Sequence, residues 1–537
     1  MTNASIATLL THYLRLAGVT HVFGYPGESI VDLIEATRIE GTGHVGPETV
    51  SAVREASAAF MAEGAAMRTG LPGVALSTLG PGSTALLNGV ASAHLDRVPL
   101  IAVSGQVDSR REQYWTHQLI DHDRLFAPVT KLAARLEPPS ADVVIRRALR
   151  TATAERPGAV HLTVTHDSFG KEVPDSDVRV PPLAPAATTL EFSGPPPRLG
   201  AARRPVILAG AGAVRCGAAT ALARVAERSG VPVVVSAMAK GVVSEDHPYF
   251  AGVLDMAGQQ VIWSLLEEAD LIITAGFDPV DLITPWRVTT PVLHIDTVPN
   301  VDQIYPAETE IVGNVRAALE WLLTHWDAEP RWTEAEVAAH RAALRAAWQD
   351  GYATGALNPS DVVTTVRSAA PRQSVVTADV GSHKIMTGQA WTTYAPREAL
   401  ITNGLSSMGF GLPAAIAASL VSPDVPVVCL TGDGGFAMTA PELAVAARYG
   451  LPLVVVVFAD GGLNRIELHQ ASLGYPLTAT SVDRIDIPAL AESLGCDGVR
   501  VETASALEKA LSTAFTGRDQ PLVIEARIDS SQYSAQF

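Results

Sequence analysis

Two aspartates, Asp433 and Asp460, stand 27 positions apart, each just beyond an apolar run, Val427–Leu430 and Leu453–Phe458. The stretch TGDGGFAMTAPELAVAARYGLPLVVVVFADGG, Thr431 to Gly462, reads with Val427–Leu430 as strand, glycine-rich turn, helix and strand. Two such strands lie parallel and neighbouring, joined by a right-handed crossover, which brings both carboxylates to adjacent strand ends roughly 5 Å apart. That spacing suits one shared divalent cation. The N–H groups of Gly434, Gly435 and Phe436, at the start of the helix, suit an anion. A lone G-D-G is commonly no more than a turn. Its place after a buried strand, with a second acid closing the next strand, points to a metal-bound diphosphate. A capping box of Thr439 and Glu442, with Pro441 in the first turn, is expected inside the crossover, and Gly450 marks a helix stop.

Three other places have the residue types for chemistry. Glu55 lies in SAVREASAAFMAEGAAM, a helical run of small and apolar residues. An isolated helical glutamate is ordinarily solvated, but these neighbours predict a buried end, where a desolvated carboxyl holds a proton more tightly. THQLIDHD, Thr116 to Asp123, clusters two histidines with two aspartates and is open to reading as surface decoration, a capped helix start or a site. LAGAGAVRCGAA, Leu208 to Ala219, has its glycines as G-x-G-x-x-x-x-G, and no acid ends the following strand Val233–Ser236. It is read as a Rossmann-like scaffold without NAD. H-E-x-x-H and G-x-S-x-G signatures are both missing, so zinc hydrolase and serine hydrolase chemistry have no residues to rest on.

The elements that must position these residues repeat through the chain. At 537 residues, with 47% hydrophobic and 18% charged, it has room for about three well-cored domains. Helix and strand signals alternate over 1–172: helix Ile6–Leu16, strand His21–Phe23, helix Ser29–Ala36, helix Val53–Arg68, strand Val74–Thr78, helix Ser83–His94 and strand Pro99–Val103. This is α/β with a parallel sheet. The proline-rich segment Val173–Leu199 supplies a linker over 173–198. A second domain covers 199–326, a helical linker with a helix over Thr333–Gln349 covers 327–358, and a third domain runs from 359 to 537. Val74–Gly105 and Val427–Asp460 share one plan of strand, G-x-G, helix, Pro-Leu and strand, a faint internal repeat.

A net charge of −17 argues against nucleic acid or an anionic membrane as the main partner. Cys216, Cys429 and Cys496 are too far apart in sequence for a disulfide framework or a zinc site. The N-terminus lacks a signal-peptide pattern and no long apolar run follows, so a cytoplasmic protein is expected.

Taken together, FGYPGE, REASAAFMAEGAA, LGPGST, RVPLIAVSGQV, THQLIDHDRLFAPVTK, AGFDPVDL, HIDTVP, DVGSHK, NGLSSMGFGLPAA and the GDGG to ADGG unit resemble the thiamine-diphosphate-dependent 2-oxo-acid decarboxylase/carboligase superfamily. The resemblance is nearest to flavin-free catabolic acetolactate synthase and covers almost the full length. It implies three doubly wound parallel-sheet domains: pyrimidine-binding, central Rossmann-like and diphosphate-binding. It also implies thiamine diphosphate and Mg²⁺, no FAD, and a homodimer or homotetramer with active sites at the subunit interface.

By the same resemblance Glu55 hydrogen-bonds the cofactor pyrimidine and promotes its tautomerisation, and Met408 holds the cofactor bent. Gln118 and His117 flank the reacting carbon. Asp433, Asp460 and the carbonyl of Gly462 hold the metal. Pro26, Gly27, Gly381, Ser382, His383, Ser406, Gly432, Gly434, Gly435 and Leu463 complete the cofactor site. The cofactor carries the electrons while protein groups orient it. The implied reaction is decarboxylation of a 2-oxo acid, pyruvate by preference, and ligation to an acceptor carbonyl. Simple non-oxidative decarboxylation and a non-catalytic cofactor-binding protein are the alternatives. Departures gather at the substrate wall, Arg465, Ile466 and Glu467, where the family commonly has methionine and a small, polar or basic residue. An arginine there suits a carboxylate, sulfonate or phosphonate, so a substrate other than pyruvate is also open.

Overall fold

The computed structural model describes residues 4–38, 47–174, 178–183, 189–193, 198–326, 329 and 331–536. Nineteen strands among them form three sheets. The first holds β1 (His21–Gly24), β2 (Glu48–Ser51), β3 (Gly73–Ser77), β4 (Leu100–Gln106), β5 (Leu132–Arg135) and β6 (Ala159–Thr165), in the order β2-β1-β3-β4-β6-β5. The second holds β7 (Glu191–Ser193), β8 (Pro205–Ala209), β9 (Val233–Ser236), β10 (Phe250–Leu254), β11 (Leu271–Ala275), β12 (Val292–Asp296) and β13 (Ala307–Val312), in the order β10-β9-β8-β11-β12-β13-β7. The third holds β14 (Val375–Ala378), β15 (Ala399–Ile401), β16 (Val427–Gly432), β17 (Val454–Ala459), β18 (Asp497–Val501) and β19 (Leu522–Arg527), in the order β15-β14-β16-β17-β19-β18.

All strand pairings are parallel except β7 with β13. Strands buried on both faces read as near-continuous apolar runs, as in VVVV at Val454–Val457, where each residue is fully buried. The expected α/β fold with three parallel-sheet domains is therefore present. One expectation shifts: the linker holds the edge strand β7, where a short, exposed strand ends the sheet.

By packing, the chain forms two compact units: Met1–Pro185, Gly404–Asp424 and Thr439–Leu451 make one, and Ala186–Asn403, Val425–Met438 and Pro452–Phe537 the other. Two helical segments of the third sequence region thus belong to the first unit. Within that unit the helix Glu55–Thr69 is packed by the helices Gly80–Leu95 and Gly411–Val421. A methyl group at Gly64 would stand 2.6 Å from Ala414 Cα, and one at Gly89 only 2.4 Å from Ala59 Cβ. A helix enclosed on several sides needs small residues for its neighbours to approach, which accounts for the EASAAFMAEGAA composition.

The crossover from β16 departs from expectation. A helix opens at once over Asp433–Thr439, and a 3₁₀ turn, Ala440–Glu442, leads into a second helix, Leu443–Arg448. Thr439 makes no side-chain cap, so the Thr439/Glu442 capping box does not form. Glu442 turns instead to the chain before Glu55, accepting the Val53 N–H at 3.0 Å. Among the described residues no helix is long and apolar enough to cross a membrane.

Candidate active site

The carboxylate pair emerges as the strand reading requires. β16 and β17 are parallel neighbours with Gly432 opposite Phe458, so Asp433 and Asp460 leave adjacent strand ends. Asp433 accepts the N–H of Gly434 and that of Gly461, each at 2.8 Å, and Asp460 accepts the N–H of Gly462 at 3.3 Å. Burial raises the proton affinity of both acids. For Asp460 burial first, then repulsion from Asp433, lifts the pKa to about 7. Two half-desolvated carboxylates that repel one another are the donor set a hard divalent cation neutralises. A cavity of about 270 Å³ opens against the pair, with Arg484 and Arg527 in its wall.

His383 lies over the same turn. Its ring stacks on Phe458 at 5.4 Å, and a methyl group at Gly432 would meet it at 3.3 Å. The side chain is buried, its pKa pushed down to about 3 by desolvation, so the imidazole is neutral. Nε2 is buried with no hydrogen-bond partner among the described residues. An orphaned polar atom at a glycine turn beside two acids fits a diphosphate ester with its metal. Ser382, next to it, donates to Asn464 Oδ1 at 2.8 Å.

Asp379 was not among the expected site residues. It is fully buried, accepts the Thr431 hydroxyl at 3.0 Å, and packs so closely that a methyl group at Gly435 would be 2.4 Å from its Oδ2. Asp379 directly follows the apolar strand Val375–Ala378, so the signal that marks Asp433 and Asp460 was available for it as well. Gly462 pairs with Ser481 in an isolated bridge, and Leu463 N–H donates to Thr480 O at 2.7 Å. The helix Asn464–Ser472 follows, carrying Arg465, Ile466 and Glu467, with none of its residues buried. Glu467 leans back on Gly462, where a methyl group would meet its Oε1 at 2.7 Å.

The other expected residues lie in the first unit. Glu55 opens its helix and is only partly buried; the fully buried carboxyl on that helix is Glu63. The expected burial of Glu55 is not found, because the chain ahead of it, Val53 and Arg54, stays exposed. The LGPGST turn lies between Glu55 and Gln118. Gly80 N–H donates to Gln118 O at 3.0 Å, and a methyl group at Gly82 would stand 3.1 Å from Glu55 Oε1. Gly27 packs on Thr78 of the same turn. Gly80 and Gly82 thus pack on two of the expected residues, although motif reading assigned neither glycine a role; the internal repeat pairs their G-x-G with Gly432-Asp433-Gly434.

THQLIDHD divides by role. Asp121 caps the short helix His122–Phe126, and His122 is buried, bonded to Ser83 Oγ at 3.0 Å, with its pKa pushed down to about 4 by desolvation. His117 and Gln118 stay exposed, Gln118 with φ +58°. Ser406 and Met408 are partly buried on the segment after Gly404, whose N–H donates to Asp96 Oδ1 at 2.5 Å. Glu63 and Asp96 share a hydrogen bond, and burial followed by repulsion from Asp96 holds the Glu63 proton well above the usual carboxyl range.

Three thiamine pyrophosphate enzyme models match in succession: the N-terminal TPP-binding domain over residues 4–125, the central domain over 197–322 and the C-terminal TPP-binding domain over 379–526. The chain belongs to the thiamine pyrophosphate enzymes. It is 30% identical to acetolactate synthase of Bacillus subtilis (strain 168) over 540 residues, 98% of this chain and 93% of the other. It is 31% identical to the catabolic acetolactate synthase of Raoultella terrigena, over 97% of this chain and 95% of that one. Acetolactate synthase isozyme 3 large subunit of Escherichia coli (strain K12) is 30% identical, covering 98% and 95%. The protein is accordingly a thiamine-diphosphate-dependent enzyme similar to acetolactate synthases.

Proposed function

We propose that this enzyme decarboxylates a 2-oxo acid, pyruvate by preference, and ligates the remaining fragment to an acceptor carbonyl, with Mg²⁺ holding the cofactor diphosphate. The observation that carries the reading is the repelling pair Asp433 and Asp460 at adjacent strand ends. With the Gly462 carbonyl they form the metal ligands; Gly381, Ser382, His383, Gly432, Gly434, Gly435 and Leu463 surround the diphosphate side. Pro26, Gly27, Gln118, His117, Ser406 and Met408 belong to the pyrimidine and substrate side. When bound, thiamine diphosphate supplies the nucleophilic carbon and the electron sink for loss of CO₂. Glu55 holds and moves the proton at the pyrimidine nitrogen. His383 Nε2 would find a partner in the bound cofactor, and Met408 would give it an apolar contact.

The domains are taken as 1–172, 199–326 and 359–537, with linkers at 173–198 and 327–358, and the active form as a homodimer or homotetramer. FAD has no part in this reading. Its support is Asp281, fully buried at the central glycine turn, where it accepts the Ala211 N–H at 3.1 Å and the Ser236 hydroxyl at 2.5 Å. A carboxylate of the chain itself thereby holds the donor a nucleotide phosphate would need. Arg465 on the substrate wall favours a second reading, an acidic substrate other than pyruvate.

Incubation with pyruvate, thiamine diphosphate and Mg²⁺ followed by product analysis is the test. Acetolactate is the expected product. Acetaldehyde would convert the reading to simple decarboxylation, and no CO₂ release would move it to another donor. A flavin spectrum in the purified protein would overturn the FAD assignment, and light scattering showing a monomer under assay conditions would overturn the assembly.

A further inference from the structure

The helix that begins with Glu55 has no cap of its own. Its N-cap residue is Arg54, whose side chain accepts no hydrogen bond, so the amides at the helix entry depend on outside acceptors. Glu442 is that acceptor. Its two carboxylate oxygens lie 3.2 and 3.0 Å from the Val53 N, and the Arg54 N–H and the Ser57 hydroxyl also donate to it. The side chain is 1% exposed. One and a half turns later Arg448 donates to Ser51 O at 2.5 Å, so the same helical segment grips the strand end and the helix entry on either side of Val53.

We infer that Glu442 is a positioning residue for Glu55: by capping the Glu55–Thr69 helix from another part of the chain, it sets where the Glu55 carboxylate stands. The inference rests on the proposed role of Glu55. Glu55 occupies the first helical position, where orientation depends on an ordered entry rather than on the following turns. A carboxylate accepting several N–H groups is strong and directional. Removing it leaves the Val53 and Arg54 amides without their carboxylate acceptor and loosens the first turn.

The test uses the full chain and the variants Glu442→Ala, Glu442→Gln and Glu55→Gln. Hydrogen exchange of the cofactor-free proteins reads the amides of residues 53–57. Steady-state kinetics with thiamine diphosphate and Mg²⁺ reads kcat and KM. Glu442→Ala is expected to accelerate exchange at 53–57 at least tenfold with the rest of the helix protected, and to lower kcat about 10²-fold with KM changed less than threefold. Glu442→Gln, which keeps one acceptor oxygen, is expected to fall between Ala and wild type in both readouts. Unchanged exchange at 53–57, or faster exchange with wild-type kcat, overturns the inference. A fall in kcat for Glu442→Gln without any change in exchange overturns it too. Wild-type turnover in Glu55→Gln would instead sink the proposed role of Glu55, while leaving the capping visible in the exchange data.

Discussion

The first and third sheets are built alike and place their acids differently. Numbered from its own first strand, each runs 2-1-3-4-6-5, and in each the third strand ends in a G-x-G turn that opens a helix. The faint sequence repeat over Val74–Gly105 and Val427–Asp460 is thus a repeat of topology. The difference lies at the centre of the turn. Pro81 in the first has neither an N–H nor a ligand to offer, and its acid, Glu55, comes from a neighbouring helix. Asp433 in the third is the acid itself, and the next strand brings Asp460 beside it. One backbone plan therefore carries an acid brought by a neighbouring helix in one copy and a strand-end acid pair in the other, by the choice of one residue and its neighbours.

The largest effect expected from breaking this contrast is on proton transfer. Glu55→Gln should lower kcat about 10²- to 10⁴-fold while leaving cofactor affinity within a few fold, measured by steady-state kinetics and a fluorescence titration. Asp433→Ala should do the reverse, weakening Mg²⁺-dependent cofactor binding by about two orders of magnitude, read by calorimetry. Because burial and repulsion from Asp433 push the Asp460 pKa up to about 7, protonation as pH falls below that value competes with the cation. Apparent Mg²⁺ affinity should drop roughly tenfold per pH unit below the midpoint; a flat profile from pH 8 to 5.5 would contradict the pair.

Methyl groups placed in the two turns probe the comparison more gently. Gly435→Ala forces carbon to 2.4 Å from Asp379 Oδ2 and should cost about 1–3 kcal/mol in a denaturation midpoint. Gly82→Ala, at 3.1 Å from Glu55 Oε1, should be tolerated in stability and show its effect in kcat.

The smallest effect is expected at Glu63. Its folded pKa is raised above the unfolded value, so the folded chain binds the extra proton and stability falls as pH rises above the ordinary carboxyl range. Glu63→Gln keeps a donor without a charge. It should alter stability near neutrality by under about 1 kcal/mol and remove that slope, as checked by urea melts at pH 6 and 9.

Much of this was legible in the chain. The strand-end acids, the α/β alternation and the helix Ile6–Leu16 came from local patterns: apolar runs bounded by glycine, and apolar residues at helical spacing. The capping box was misplaced because Thr439 and Glu442 have the right spacing for a local bond, while a tertiary amide, Val53 N–H, offers Glu442 a better one. Glu55 was expected buried because its neighbours are small; those small residues serve close helix packing around Gly64 and Gly89, further along.

By itself, then, the sequence determined which residues form strands and where acids follow them, since side-chain periodicity and turn chemistry act over a few residues. Only the tertiary structure decided which acid is paired, which is buried and which caps a distant helix. Proton affinity and hydrogen-bond satisfaction depend on what the fold removes from water, and those neighbours lie hundreds of residues away, as Glu442 does from Val53.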